Sequence, residues 1–173
     1  RIGPLNAWWT GEELDYALRD SGARLLICDA ERAERVAPYI AGLPALDHVL
    51  TARAAKEHAG DRLESILGSA DDWAVLPDAE LPAVDIAPDD SATIFYTSGT
   101  TGNPKGALGS HRNLMTNILS GAYAAARTFL RRGDPIPNPV AKTTLTVIPL
   151  FHVTACSAGL MGLIAGGSTM VLM

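Results

Sequence analysis

Segments with helical periodicity alternate with short apolar runs, and this alternation constrains the fold of the chain more than any other feature. The alternation occurs four times, in residues 11–20 and 24–28, 31–40 and 48–51, 113–129 and 143–148, and 153–165 and 169–173. It predicts an α/β fold with a mostly parallel sheet flanked by helices, because parallel strands need a crossover that is usually helical. Ligands of such sheets bind at the carboxyl ends of the strands.

Local signals predict where two of the helices begin. Thr10 and Glu13 are spaced as a capping box at the start of the first helix, and Ser21-Gly22 is a stop signal at its end. Ser110 is an expected N-cap for the helix that follows it. These ends depend only on residues that are close together in sequence.

A polar run from Tyr96 to Gly106 follows the apolar segment 92–95. Its sequence is Tyr-Thr-Ser-Gly-Thr-Thr-Gly-Asn-Pro-Lys-Gly, in which four serine and threonine hydroxyls and three glycines accompany one lysine. Glycines let backbone N–H groups approach an anion, hydroxyls donate hydrogen bonds, and lysine supplies a positive charge. We expect the run to lie between a strand and a helix N-terminus, which also favours anions. It is interpreted as a polyphosphate-binding loop.

Two common phosphate-binding motifs do not fit this loop. It contains no Gly-Lys pair followed by serine or threonine, as a Walker A motif requires, and its glycines do not have the dinucleotide-binding spacing. The loop must therefore belong to another phosphate-binding family.

The run from Thr97 to Gly106 resembles the signature loop of the adenylate-forming superfamily, which includes acyl- and aryl-CoA synthetases, luciferases and peptide-synthetase adenylation domains. Pro4-Leu5-Asn6 with residues 14–29 is similar to an upstream strand and helix of that superfamily. Pro149-Leu150-Phe151-His152 resembles its downstream substrate motif, in the form typical of CoA ligases. The resemblance implies that residues 1–173 are one fragment of the large N-terminal domain and that the C-terminal domain is absent.

The resemblance also implies roles for particular residues. The expected nucleotide-binding residues all lie in the signature loop: Thr97, Ser98, Gly99, Thr100, Thr101, Gly102 and Lys105. Thr97 is the expected Mg²⁺ contact, and Lys105 is expected to neutralise phosphate charge during catalysis. His152 is expected to lie beside the acyl substrate and to orient or gate its carboxylate.

The implied activity is that of an acid-thiol ligase, an acyl-CoA synthetase. With ATP and Mg²⁺ it would convert a carboxylic acid, expected to be a fatty acid, into an acyl-adenylate, and coenzyme A would then accept the acyl group. We expect the fragment alone to be inactive, because other catalytic parts belong to the missing remainder of the chain. Two alternatives remain open: an amino-acid or fatty-acyl adenylation domain that loads a carrier protein, and a non-catalytic nucleotide-binding domain.

Composition argues against several other classes of protein. A net charge of −5 argues against a nucleic-acid-binding protein. Cys28 and Cys156 lie in apolar surroundings, far apart in sequence and without the paired spacing of a zinc or redox motif, so both thiols are expected to be buried and reduced. The four histidines also lack metal-ligand spacing. The uncharged segment 153–173 is divided by Gly166-Gly167-Ser168, which predicts no transmembrane span, while peripheral membrane contact is left open. The expected compartment is the cytoplasm.

Overall fold

The computed structural model describes residues 1–54, 60–68, 79–97, 102–138 and 140–173. Four of the predicted phosphate ligands lie outside these residues: Ser98, Gly99, Thr100 and Thr101. The chain divides into two compact units, one formed by Ala7–Asp85 and the other by Arg1–Asn6 with Ile86–Met173. The assignment of residues 1–173 to a single fragment of one larger domain stays a prediction.

The first unit combines short helices with parallel strands. In chain order its elements are helix α1 (Gly11–Ser21), strand β1 (Leu25–Asp29), helix α2 (Ala30–Val36), a 3-10 helix (Ala37–Gly42), strands β2 (His48–Ala52) and β3 (Asp61–Arg62), and helix α3 (Glu64–Leu67). Strand β2 lies between β1 and β3 and is parallel to both. The core includes Leu14, Ala17 and Leu18 of α1 with Ala33 and Val36 of α2.

The ends of α1 confirm the local signals. Thr10 and Glu13 form a complete capping box, and Gly22 ends the helix with a left-handed φ of 61°. The single helix predicted over 31–40 is wrong in its second half, because α2 ends at Val36 and continues as a 3-10 helix containing Pro38. A proline has no N–H to donate and cannot continue an α-helix normally.

Strand β1 is less buried than its apolar sequence predicts. Leu25 and Ile27 are 49% and 56% exposed. Helix α2 contacts both β1 and β2. Because alternate residues of a strand point to opposite faces of a sheet, a helix on one face leaves the side chains of the other face uncovered. A short apolar run such as residues 24–28 is typical of a buried strand, and this expectation is wrong for β1 within this chain.

The second unit contains a hairpin, a long helix and a separate strand pair. Its elements are strands β4 (Ser91–Thr97) and β5 (Lys105–Ser110), helix α4 (His111–Arg132), strand β6 (Thr143–Thr146), a π-helix (Thr154–Leu160), helix α5 (Met161–Ala165) and strand β7 (Thr169–Leu172). Strands β4 and β5 are antiparallel, and β6 and β7 are parallel. Three of the four strand pairings among the described residues are thus parallel, which confirms the α/β fold class.

The hairpin corrects one prediction. The signature loop was expected to lead directly into a helix, but β5 separates the loop from α4. Residues 105–110 read Lys-Gly-Ala-Leu-Gly-Ser, and glycine weakens a strand signal. Hydrogen bonding to β4 therefore decides that this segment forms a strand.

The uncharged C-terminal segment is divided as predicted. Gly167, with a φ of 59°, lies in the turn between α5 and β7. Among the described residues, no helix has both the length and the apolar character needed to cross a membrane.

Candidate active site

The β4–β5 hairpin holds both ends of the signature loop. Thr97 and Lys105 are register partners at the end of the hairpin, and the Thr97 hydroxyl donates a hydrogen bond to the Lys105 carbonyl oxygen at 3.4 Å. Both residues are exposed. Two of the predicted ligands are therefore adjacent, at the point where the loop leaves the hairpin.

Strand β4 is anchored on both of its edges. Besides pairing with β5, it forms a parallel bridge with Ile2: the Ile2 N–H donates to the Ala92 carbonyl at 2.8 Å, and the Ile94 N–H donates to the Ile2 carbonyl at 2.9 Å. Ala92, Thr93 and Phe95 are also buried. The loop thus projects from a strand that is fixed by hydrogen bonds and by packing.

Glycine is required at two positions near Lys105 for two different structural reasons. Gly102 has a φ of 91°, a conformation that residues with a side chain rarely adopt. Gly106 instead faces Tyr96 across the hairpin, and a Cβ at this position would lie 2.9 Å from Ile94 Cγ2 and 3.3 Å from the Tyr96 ring. Glycines of this run are expected from the sequence to let backbone N–H groups approach an anion, whereas the structure gives Gly106 a packing role.

The N-terminus of α4 is capped by its own side chains. The Asn113 N–H donates to Ser110 Oγ at 3.2 Å and the Ser110 N–H donates to Asn113 Oδ1 at 2.9 Å, which confirms Ser110 as the N-cap. The six residues of β5 span roughly 17 Å at about 3.4 Å per residue. The dipole of α4 is therefore too remote to act at the start of the loop.

Residues 88–90, which precede β4, fix the start of α4. Arg112 donates from Nε to Asp89 Oδ1 at 2.6 Å and from Nη2 to Asp89 Oδ2 at 2.9 Å. The backbone N–H groups of His111 and Arg112 donate to the carbonyls of Asp90 and Pro88 at 3.1 and 2.7 Å. The Arg112 hydrogen bonds lower the pKa of Asp89. A pairing 23 residues apart leaves no local signal in the sequence.

An open cavity lies beside the Asp89–Arg112 ion pair. It has a volume of about 420 Å³ and is lined mainly by apolar side chains of residues 86–88 and of the first turns of α4, together with His111 and Arg112. Met115 and Leu119 of this lining are 52% and 62% exposed. None of the predicted site residues lines it.

His152 precedes the π-helix, with Val153 between them. Its backbone N–H donates to the Pro149 carbonyl and its carbonyl accepts from the Cys156 N–H, both at 3.0 Å. Its ring atom Nδ1 accepts a hydrogen bond from the Thr154 N–H at 3.3 Å. The side chain is exposed although Ala155 and Cys156, which follow closely, are buried.

The two predicted parts of the site follow strands of different sheets. The signature loop connects β4 and β5, whereas Pro149–His152 comes after β6, which pairs only with β7 among the described strands. Helix α4, which follows β5, contacts the π-helix that follows His152. Strand pairing therefore does not bring the two parts to one sheet edge, and their convergence stays a prediction.

The described residues offer little to a metal ion by themselves. They contain no group of three or more histidine, cysteine, aspartate or glutamate side chains that could hold one. A hydroxyl such as that of Thr97 suits Mg²⁺, which binds oxygen and commonly uses substrate phosphates and water as its other ligands. This arrangement fits a metal that arrives with a nucleotide.

Comparison with known proteins identifies the family. The model of the family described as AMP-binding enzyme matches residues 2–173. The chain belongs to the AMP-binding enzyme family. The superfamily resemblance found in the signature loop is thereby confirmed.

Relatives of this chain include proteins named CoA ligases and synthases. The chain is 34% identical over 169 residues to the feruloyl-CoA synthase of Amycolatopsis sp, covering 98% of this chain and 28% of the relative. It is 35% identical over 155 residues to the long-chain-fatty-acid–CoA ligase FadD15 of Mycobacterium bovis, covering 88% of this chain and 23% of the relative. The chain thus spans less than a third of the length of either relative.

A solved structure shows the same fold. The crystal structure of ATP-bound MatB from Rhodopseudomonas palustris is 28% identical and superposes with a TM-score of 0.64. The match covers 97% of this chain and 29% of that one. The fold class and the family therefore agree.

Proposed function

We propose that the full-length protein is an acid-thiol ligase that activates a carboxylic acid with ATP and transfers the acyl group to coenzyme A. The observation that carries the proposal is the signature loop mounted on the β4–β5 hairpin, with Thr97 and Lys105 paired at its base. Similarity to the feruloyl-CoA synthase and to the long-chain-fatty-acid–CoA ligase supports it.

The proposed reaction has two steps. A carboxylate oxygen attacks the α-phosphorus of ATP, and the bond between this phosphorus and the oxygen that bridges to the β-phosphate breaks. Pyrophosphate departs with that oxygen, and the product is an acyl-adenylate. The sulfur of coenzyme A, having lost its proton, then attacks the acyl carbonyl, and AMP leaves. Negative charge grows on the leaving phosphates in the first step, so donors and positive charge placed there stabilise the transition state.

Lys105 supplies the positive charge in this proposal. Its side chain is exposed at the first position of β5, and no carboxylate in the described part of the chain forms an ion pair with it. The loop residues Ser98, Gly99, Thr100, Thr101 and Gly102 would supply N–H and hydroxyl donors to the same phosphates.

Thr97 is the proposed protein ligand for Mg²⁺. Its hydroxyl acts as the donor to the Lys105 carbonyl oxygen, and a hydroxyl that donates keeps its oxygen lone pairs available. A bound Mg²⁺ would neutralise part of the phosphate charge. The proposal needs no acidic cluster, because the phosphates provide the anionic ligands.

The proposed substrate is a fatty acid. Similarity to the long-chain-fatty-acid–CoA ligase supports this choice. A second candidate is an aromatic acid, because the feruloyl-CoA synthase is similar at nearly the same identity. The cytoplasmic location stays a prediction.

The test is exchange of labelled pyrophosphate into ATP by the full-length protein with short, aromatic and long-chain acids. Exchange that requires a long-chain acid, followed by thioester formation with coenzyme A, supports the full proposal. Exchange without a thioester, but with acyl transfer to a carrier-protein thiol, favours the adenylation-domain alternative. Failure of every acid to support exchange would favour a non-catalytic nucleotide-binding domain.

The role of Lys105 has its own test. Lys105→Ala should lower the exchange rate about 10- to 100-fold, because a charge-assisted hydrogen bond contributes about 1.5–3 kcal/mol. The effect should fall on the rate more than on the Michaelis constant for the acid. Lys142→Ala removes another exposed lysine and is the matched control. Equal losses in the two variants would contradict the role of Lys105.

A further inference from the structure

The ring of Tyr96 lies against the backbone of Gly106. The two residues are register partners in the β4–β5 hairpin, one position away from the Thr97–Lys105 pair at the base of the signature loop. A Cβ built on Gly106 would lie 3.3 Å from both Cε1 and Cζ of Tyr96. Glycine within a strand often marks a place where another group approaches the backbone closely. The ring therefore contacts β5 directly beside Lys105.

Strand β5 is held from one side. Among the described strands it pairs only with β4, and its residues 105–108 are exposed. Gly106 has no side chain with which to pack against β4. A cross-strand aromatic ring that covers a glycine stabilises the pairing and fixes the register of an edge strand. Tyr96 supplies this ring in the hairpin.

We propose that Tyr96 is a positioning residue of the phosphate-binding site, whose ring, packed on Gly106, holds Lys105 where it meets the phosphates of ATP. This inference rests on the proposed function. Successive residues of a strand point to opposite faces. Tyr96 and Gly106 therefore contact each other on one face of the hairpin, while the exposed side chains of Thr97 and Lys105 belong to the other face.

The register of β5 matters because the charge of Lys105 acts over a short distance. A slip of one residue would move Lys105 by about 3.4 Å along the strand and turn its side chain to the opposite face. A hydrogen bond from a charged nitrogen to a phosphate oxygen needs a separation of about 2.7–2.9 Å. The ring therefore affects the reaction through Lys105, without touching the substrate.

Two variants separate the ring from the rest of the side chain. Tyr96→Phe keeps the ring and removes the hydroxyl. Tyr96→Val removes the ring and keeps a β-branched residue that favours a strand. Comparison of the two therefore isolates the contribution of the ring.

Nuclear magnetic resonance of the full-length protein checks the contact without measuring activity. The α-proton of Gly106 that takes the direction of a Cβ lies against the Tyr96 ring. The ring current should therefore separate the resonances of the two Gly106 α-protons in the parent and in Tyr96→Phe, and this separation should largely disappear in Tyr96→Val. The same separation in all three proteins would overturn the inference.

Pyrophosphate exchange tests the positioning role. Tyr96→Val should lower the exchange rate about tenfold and change the KM for the acid by less than about threefold, because Lys105 acts on the transition state. Tyr96→Phe should stay within about threefold of the parent rate. A loss in Tyr96→Phe as large as that in Tyr96→Val would show that the ring is not the group that positions Lys105.

The decisive measurement places Tyr96→Val in a protein that already carries Lys105→Ala. If the ring acts through Lys105, the second substitution should lower exchange by less than about twofold, because the group that it positions is already gone. A loss of about tenfold in both backgrounds would indicate general damage to the fold and would overturn the inference. Absence of exchange in the parent with every acid would refute the proposed function, whereas the resonances of Gly106 would still show whether the ring makes its contact.

Discussion

Replacing Gly106 by alanine should destabilise the β4–β5 hairpin and disturb the base of the signature loop. The added Cβ would lie 2.9 Å from Ile94 Cγ2 and 3.3 Å from two atoms of the Tyr96 ring. Carbon atoms prefer separations of about 3.5–4.0 Å, so both side chains would have to move. Ile94 is β-branched and has few alternative rotamers in which to do so.

The expected cost follows from two opposing effects. Overpacking costs about 1–3 kcal/mol. Replacing glycine by alanine restricts the unfolded chain, which offsets about 0.4–1 kcal/mol of that cost. We therefore expect Gly106→Ala to lower the free energy of unfolding by about 1–2 kcal/mol, mostly through displacement of Tyr96 and Ile94.

Urea-induced unfolding of the 173-residue chain measures this difference. Gly121→Ala is the matched control, because Gly121 lies in α4 and a Cβ there would meet nothing within 4 Å. That variant should gain about 0.5–1 kcal/mol from helix propensity. If Gly106→Ala is as stable as the parent, or if it gains as much as Gly121→Ala, the packing argument is refuted.

Three further predictions concern other sites. Thr97→Val should raise the Mg²⁺ concentration needed for pyrophosphate exchange while Thr97→Ser does not, and identical Mg²⁺ titrations would refute the metal contact. Arg112 lowers the pKa of Asp89 in the folded chain. Their pairing therefore stabilises the fold at pH values above 3.8, the ordinary pKa of the carboxyl group, and this stabilisation is lost as the pH falls through the lowered pKa. Asp89→Asn should therefore unfold at lower urea than the parent at neutral pH but not in strong acid, and a difference that persists in acid would contradict this. Burial, with a smaller contribution from Asp29, raises the pKa of the Cys28 thiol to about 11, so its alkylation by iodoacetamide should be slow at neutral pH and accelerate towards that value. Rapid labelling of Cys28 in the folded chain at neutral pH would contradict the raised pKa that its partial burial causes.

Some of the fold could be predicted because its causes are local. The capping box at Thr10, the N-cap at Ser110 and the helix stop at Gly22 involve residues within a few positions of each other, and all were found where the sequence placed them. The alternation of helices and strands depends on apolar periodicity, which is equally local. These signals established the α/β class and most element positions.

The candidate site divides in the same way. The composition of the signature loop and the Pro149–His152 segment indicated phosphate and acid chemistry, and the family match confirms the class of protein. The sequence did not indicate that Thr97 and Lys105 would pair at the base of an antiparallel hairpin, because the glycines of β5 weaken the sequence signal for a strand. Nor could it show that Nδ1 of His152 would be occupied, since that depends on the turn leading into a π-helix.

The sequence by itself determined the α/β class, the ends of the capped helices and the chemical character of the loop, because each depends on neighbouring residues. Only the tertiary structure decided that Gly106 is required by the Tyr96 ring, that Asp89 pairs with Arg112, and that Nδ1 of His152 accepts a hydrogen bond from the Thr154 N–H. The physical reason is that packing, ion pairing and hydrogen bonding depend on distances between side chains that chain order alone does not specify.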